Sequence, residues 1–424
     1  MRAAGALLAL TLAGCGSDDG ADAQKALAIP EGCNPIASDW DCMLPFPSDY
    51  FRTPDSALPS GHRVALTEAA SPRTESGAKV DLSQLHPADG FSPGSQILLH
   101  VPGGVGAAAL TFHDDDIGRT LKPDSATVLI DTQTGLPVPH FAETDPRADS
   151  DDDRALAIRP LVRLADARRY VVAIQSLTDS SAAPHVAPEA FRRIRDRKTA
   201  GDPLLAPLAE RYEQEVFPPL EAAGVARDGL VLAWDFTTRT EANATADMLA
   251  VRDHVRGTLK QAPKLDIVEI KTEPAPHIWR QIAATVQVPL YLDEDAPYAT
   301  LNRDPSGKVV AQGTVTVPFT VIIPPSVGNR PVGSLPARLL QYGHGFFGSR
   351  TEAEDHAAEL ADEKGFVIVA ADWVGMSEQD RIPVANALTG DTNQLMRFTD
   401  RLHQAMANFI AVGSVAQGAL ANHA

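Results

Sequence analysis

Long apolar runs are missing from this chain of 424 residues: none reaches the roughly 20 residues that a helix needs to span a bilayer, which excludes a polytopic membrane protein. Basic residues are also scarce. Lys and Arg number 37 against 55 Asp and Glu, and the formal charge of -18 repels phosphate backbones at long range, arguing against nucleic acid as a partner. Aromatic residues make up only 6%, and cysteine occurs three times, at 15, 33 and 42. What is present is ordinary globular material, 44% hydrophobic and 22% charged, so disorder is excluded for most of the length. The length suits two or three domains with real cores.

Met1 and Arg2 precede an apolar stretch, residues 3–14, of a length that fits a secretion signal better than a membrane span. Leu12-Ala13-Gly14-Cys15 resembles the lipobox of bacterial lipoproteins. The resemblance implies removal of residues 1–14, acylation of Cys15, and attachment to the cell envelope, with the outer membrane expected, through two or three acyl chains. The alternative is an ordinary cleaved signal with an incidental cysteine. Residues 15–32 then read as a tether whose first part is rich in Gly, Ser, Asp and Ala. With Cys15 acylated, Cys33 and Cys42 are an even pair in an oxidising compartment, and a disulfide is the simplest outcome. It closes a short loop worth about 2–3 kcal/mol. A redox pair or metal site calls for a CxxC spacing or further ligands.

Residues 33–180 are broken by Pro, Gly and Asp into short strand candidates at 96–101, 126–131, 156–160 and 170–176. Their rhythm is that of an immunoglobulin-type sandwich, a fold analogy that carries no function. Residues 181–260 are mixed, with helices expected at 188–199, 204–223 and 241–256 and a buried strand at 230–238. Residues 261–424 open with strand candidates at 283–292 and 315–323.

The chemistry concentrates near residue 340. An apolar strand, 338–342, runs into Gly343-His344-Gly345-Phe346-Phe347-Gly348; Ser349 and Glu352 then match a capping box that starts a helix ended by Gly365. Strand 366–371 follows. This βαβ order predicts a parallel sheet, with 343–348 and 372–377 beyond the carboxyl ends of its strands, where ligands bind. Tyr342 to Gly348, together with Ala371-Asp372-Trp373-Val374-Gly375-Met376-Ser377, resembles the bacterial α/β-hydrolases. Leu44-Pro45-Phe46-Pro47-Ser48-Asp49 and Asp89-Gly90-Phe91-Ser92 narrow the likeness to large envelope lipases and esterases with a β-rich amino-terminal region. The resemblance implies a β-rich, sandwich-like domain followed by an α/β-hydrolase-like parallel sheet, an ester or lipid substrate, and no cofactor or metal. It also implies an oxyanion hole in which the Phe346 N–H, set up by His344 and Gly345, is one donor. Two other readings of the loop stay open: a plain tight turn, and a dinucleotide G-x-G-x-x-G, whose acidic partner Asp372 lies too far along.

A hydrolase of this kind also needs a G-x-S-x-G elbow with Asp or Glu and His after it. Only Gly375-Met376-Ser377-Glu378-Gln379 begins the pattern; it ends in Gln and comes a strand too early. Beyond Asp391 the chain reads as one amphipathic helix with Leu395, Phe398, Leu402, Met406, Phe409 and Ile410 inward, and His403 and His423 at surface or terminus. The expectation is a sheet cut short before its nucleophile strand, with the border at 338–342 unpaired and the Ser-Asp-His machinery outside these residues. The acidic stretches Asp149 to Asp153 and His113 to Asp116 read as solvated loops, not cation sites. A non-catalytic envelope lipoprotein with a binding module is the competing functional class. For the anchor, cells fed an alkyne fatty acid are expected to label the wild-type chain and to leave Cys15→Ser unlabelled and released from membranes; equal labelling of the two would rule the anchor out.

Overall fold

The computed structural model describes residues 26–74, 76–80, 87–261 and 263–421. The signal segment, Cys15 and His423 lie outside the described residues. The chain forms two units from interleaved stretches: residues up to 46, 97–161 and 170–235 make one, and 47–96, 162–169 and 236 onward make the other.

The first unit holds two sheets. One has the order Ile97–His100, Ala155–Pro160, His140–Thr144, all antiparallel. The other runs Leu136–Pro137, Thr127–Asp131, Arg169–Gln175, Leu230–Thr237. Val171, Val172, Ala173 and Ile174 are fully buried, an unbroken apolar run that suits a strand covered on both faces. Because Leu230–Thr237 completes the second sheet, the β-rich region does not stop near residue 180. The expected helix at 204–223 is Leu205–Arg211 and Phe217–Ala222 joined by a π turn at Tyr212–Val216. Pro218 and Pro219 have no N–H to donate, which removes two regular bonds at that place. Cys33 and Cys42 form the disulfide, with their Cα atoms 4.4 Å apart.

The second unit is organised by helix α1, Glu241–Thr258, and a sheet of five strands: β1 Leu265–Ala275, β2 Ile278–Pro289, β3 Thr314–Ile323, β4 Arg338–Tyr342 and β5 Phe366–Ala371. Their order is β1-β2-β3-β5-β4. The expected parallel sheet is therefore mixed: only β4 and β5 run parallel, and the other neighbours are antiparallel. The reason is local, since β1 and β2 are joined by a tight hairpin, whereas the β4–β5 connection carries the helices that a parallel crossover uses. Helices α2 Glu352–His356 and α3 Ala358–Lys364 form that crossover; α4 Arg381–Thr389 and α5 Met396–Gln417 follow it. Val251 and Val255 of α1 and Ala407, Ala411, Val412 and Val415 of α5 pack with Val286, Phe319 and Val369. Ala353, Ala357, Ala358 and Ala361 pack with Ile322, Ile368 and Ala370 in a separate cluster. The sheet is thus covered by helices on two faces, in a mixed α/β arrangement. Among the described residues no helix is long and apolar enough to cross a membrane.

The two amino-terminal motifs are staples within this unit. Asp49 accepts from the Thr237 N–H at 2.8 Å, and the buried Asp89 accepts from the Thr240 N–H at 2.9 Å and hydroxyl at 2.7 Å, fixing the start of α1.

A buried histidine gives the first unit a pH limit. His140 is fully buried; its Nδ1 lies 2.8 Å from the Val138 carbonyl, and its Nε2 lies 2.9 Å from the Thr127 hydroxyl and 3.2 Å from the Thr127 carbonyl. Desolvation lowers its pKa. Above about pH 6.5 folded and unfolded states are both neutral at this ring; below it only the unfolded state takes the proton, so stability falls as the pH falls. Urea midpoints measured between pH 7.5 and 5.5 are expected to drop more steeply for wild type than for His140→Gln, whose pH dependence lacks this component; parallel profiles would refute the assignment.

Candidate functional site

Strand β4 ends at Tyr342, and the next six residues turn sharply before α2. His344 is buried and has both ring nitrogens committed: Nε2 accepts from the Trp373 N–H at 2.8 Å, and Nδ1 lies 2.7 Å from the Gly345 carbonyl, to which it donates. The ring is a brace between this loop and the end of β5, with no nitrogen left to act as a base. The Phe347 N–H donates to the Met376 carbonyl at 2.7 Å, and the Glu378 N–H to the Gly348 carbonyl at 2.9 Å. Residues 343–348 and 372–378 are therefore zipped together beyond the carboxyl ends of the two parallel strands.

Between these ties sits Phe346. Among the described residues no acceptor meets its N–H, and its ring is 56% exposed, lying against Phe347 and, edge on, Phe398 of α5. Phe347 next to it has φ +64, a left-handed conformation that is an outlier for a bulky side chain and costs about 1–3 kcal/mol. The loop is anchored from the other side by Glu352, whose carboxylate accepts from the Gly345 N–H at 2.8 Å and lies so close to Gly348 that a Cβ there would stand 1.7 Å from Oε1. A side chain at 348 would push the Glu352 carboxylate out of this position.

This corrects the expected capping box. Ser349 hydrogen-bonds the Thr351 hydroxyl, Thr351 occupies the cap position, and Glu352 turns back to the loop amide. The helix also breaks at Ala357 before Gly365, at φ +67, ends it as predicted.

Ser377 is not placed as a nucleophile. It is buried, and its hydroxyl donates to Asp380 Oδ2 at 2.6 Å in a true capping box for the short turn Glu378–Asp380. Asp380 Oδ2 also accepts from the Gly375 and Ser377 N–H groups, while Oδ1 accepts from Arg401 Nε at 2.8 Å. Gly375 has φ +98 and lies against the α5 backbone at Phe398, so only glycine fits. The start of an elbow pattern is thus a packed corner. Asp372 is taken by Arg350, through its N–H at 2.7 Å and its guanidinium.

Helix α5 forms where its periodicity predicts, but its buried stripe is rotated. Asp400, Arg401, Gln404 and Asn408 are inside with Ala405 and Val412, whereas Phe398, Leu402 and Met406 are half-buried. Asp400 accepts from the Leu301 N–H and Gln404 from the Tyr291 N–H, so each inward polar group has a partner. Burial raises the Asp400 pKa. His403 lies on this helix, half-buried, with Nδ1 beside the Thr399 carbonyl.

Among the described residues no group of three or more His, Cys, Asp or Glu is placed to hold a metal ion; Asp151–Asp153 is an exposed turn. No family model matches this chain, nor does any curated protein or solved structure.

The Asp380–Arg401 pair is buried, with side chains 1% and 6% exposed, and breaking such a pair from one side strands a charge. Arg401→Met is expected to cost about 3–5 kcal/mol in urea unfolding, and Arg401→Met with Asp380→Asn to recover part of that. Additive losses in the double variant would show that the two side chains are not coupled.

Proposed function

We propose that this chain is an envelope-anchored relative of serine lipases and esterases, and that its residues supply the oxyanion-binding side of an ester-hydrolysing site. The observation that carries the reading is the Phe346 amide: a backbone donor without an acceptor, held by committed neighbours beyond the end of a parallel strand at the border of a sheet. A fixed donor of this kind acts where charge develops on a carbonyl oxygen, and one such donor is worth about 3–4 kcal/mol of barrier. Membrane attachment through Cys15 belongs to the same reading.

In this chemistry a serine alkoxide attacks the ester carbonyl and the oxygen that becomes negative is met by the Phe346 N–H and a second amide. Neither His344, whose two ring nitrogens are engaged, nor Ser377, bound to Asp380, is placed among the described residues as the base or the attacking group. The free flank of β4 is where a strand bearing an elbow would pair. The exposed Phe346 and the half-buried Phe398 beside it give the site an apolar rim suited to an acyl group.

The purified chain is expected to show no p-nitrophenyl ester turnover and no fluorophosphonate labelling. In a polypeptide that also carries a G-x-S-x-G elbow with its Asp or Glu and His, Phe346→Pro, which deletes the N–H, should lower kcat by about 10²–10³. Phe346→Ala, which keeps it, should not. A serine labelled in the present chain, or equal kcat in the two Phe346 variants, would sink the proposal.

A further inference from the structure

The first unit carries a cavity that the ester chemistry does not use. It has a volume of about 290 Å³, at the low end for small-molecule sites, and is lined by Thr111, Arg119, Lys122, Asp124, Ser125 and Ser176. Its polar groups are uncommitted. The Arg119 guanidinium, the Lys122 ammonium, the Asp124 carboxylate and the three hydroxyls have no side-chain hydrogen bond or ion pair among the described residues. Elsewhere in the same unit the opposite holds, with Arg193, Arg195, Arg211 and Arg227 each facing a carboxylate.

The lining is also held in place. Gln175, buried, donates through Nε2 to the Ser125 carbonyl at 2.8 Å and to the Pro123 carbonyl, clamping the turn that presents Lys122, Asp124 and Ser125. Two backbone bonds, Lys122 N–H to Arg119 and Ser125 N–H to Lys122, tighten it further. Ser176 stands at φ +51, a backbone conformation that side-chain-bearing residues avoid and that recurs at ligand sites. The backbone of the site is thus preorganised, while the exposed Arg119, Lys122 and Asp124 side chains are ordered when a ligand meets them.

Two cations and one carboxylate leave one net positive charge facing the cavity of a protein whose net charge is -18. A guanidinium fork matches a carboxylate, and the ammonium adds a second contact. The Asp124 carboxylate can only accept, so it calls for hydroxyl donors on the ligand, and the Ser and Thr hydroxyls both give and accept. We propose that this cavity binds a sugar acid, a single polyhydroxylated ring bearing one carboxylate.

Isothermal titration of the full chain at low ionic strength tests this, with D-glucuronate, D-glucose and inorganic phosphate as probes. Glucuronate is expected to bind saturably, and glucose and phosphate at least about tenfold more weakly, since each lacks one half of the recognised chemistry. Arg119→Gln should weaken glucuronate by about tenfold or more, and so should Lys122→Gln. Lys122 is exposed, so that variant keeps its unfolding midpoint and reads binding alone. Absence of saturable glucuronate binding, glucose binding as tight as glucuronate, phosphate binding as tight as glucuronate, or unchanged affinity in both variants would each overturn the proposal.

Discussion

One buried carboxylate holds the candidate site together. Asp380 receives two backbone N–H groups, a serine hydroxyl and an arginine, so the corner after β5 and helix α5 cannot move independently. Burying an ion pair gains little net stability, because both charges lose water, but it fixes geometry: every other arrangement of Gly375, Ser377 and Arg401 leaves a charge stranded. That fixed corner in turn holds the Met376 and Gly348 carbonyls that receive the Phe347 and Glu378 N–H groups. The uncommitted amide at Phe346 is therefore positioned at second hand. Its direction is set by a chain of hydrogen bonds that starts at a carboxylate 34 residues later in the sequence.

The same preference for satisfied polar groups over apolar area decides the register of α5. Its apolar residues predict a stripe through Phe398, Leu402 and Met406, yet the helix turns Asp400, Gln404 and Asn408 inward. Asp400 and Gln404 meet partners that the helix cannot supply to itself, the Leu301 and Tyr291 amides, loop donors that would otherwise be buried and unpaired, and Asn408 accepts from Gln404. A hydrophobic period weighs only burial, so it points to the neighbouring stripe.

This marks the limit of what the amino-acid pattern makes legible. The β4–loop–α2–α3–β5 unit is readable because it carries local signals, apolar strands, glycines and the left-handed Gly365. The use of Glu352 is not, since a carboxylate three residues after Ser349 fits a capping box equally well, and only the packing of Gly348 against it selects the loop amide. Strand β1 is missed for a different reason: Val268, Ile270 and their charged neighbours are exposed, so no burial pattern marks it, and it exists through its pairing with β2. The joining of separate stretches within the second unit is carried by contacts such as Asp49 with Thr237 and Asp89 with Thr240, whose separations of 188 and 151 residues leave no local trace.

The two borders of the five-stranded sheet differ in a way that bears on the proposed chemistry. At the β1 border, Asp266, Glu269, Lys271 and Glu273 are exposed and Pro274 interrupts the donors, which are devices that keep an edge from pairing. At the β4 border, the five residues Arg338 to Tyr342 carry one exposed charge, Arg338, and no proline, and Leu340 stands 37% exposed. Charge repulsion from a net -18 protects the molecule as a whole but acts over a Debye length and cannot discriminate between borders of one sheet. Local sequence can. A border furnished with many such devices is compatible with standing in water, whereas one with fewer has a row of backbone groups better suited to another strand. In the proposed reading that strand would bring its attacking residue to the same end of β4 at which the Phe346 amide waits, so the open flank and the uncommitted donor are two aspects of one site.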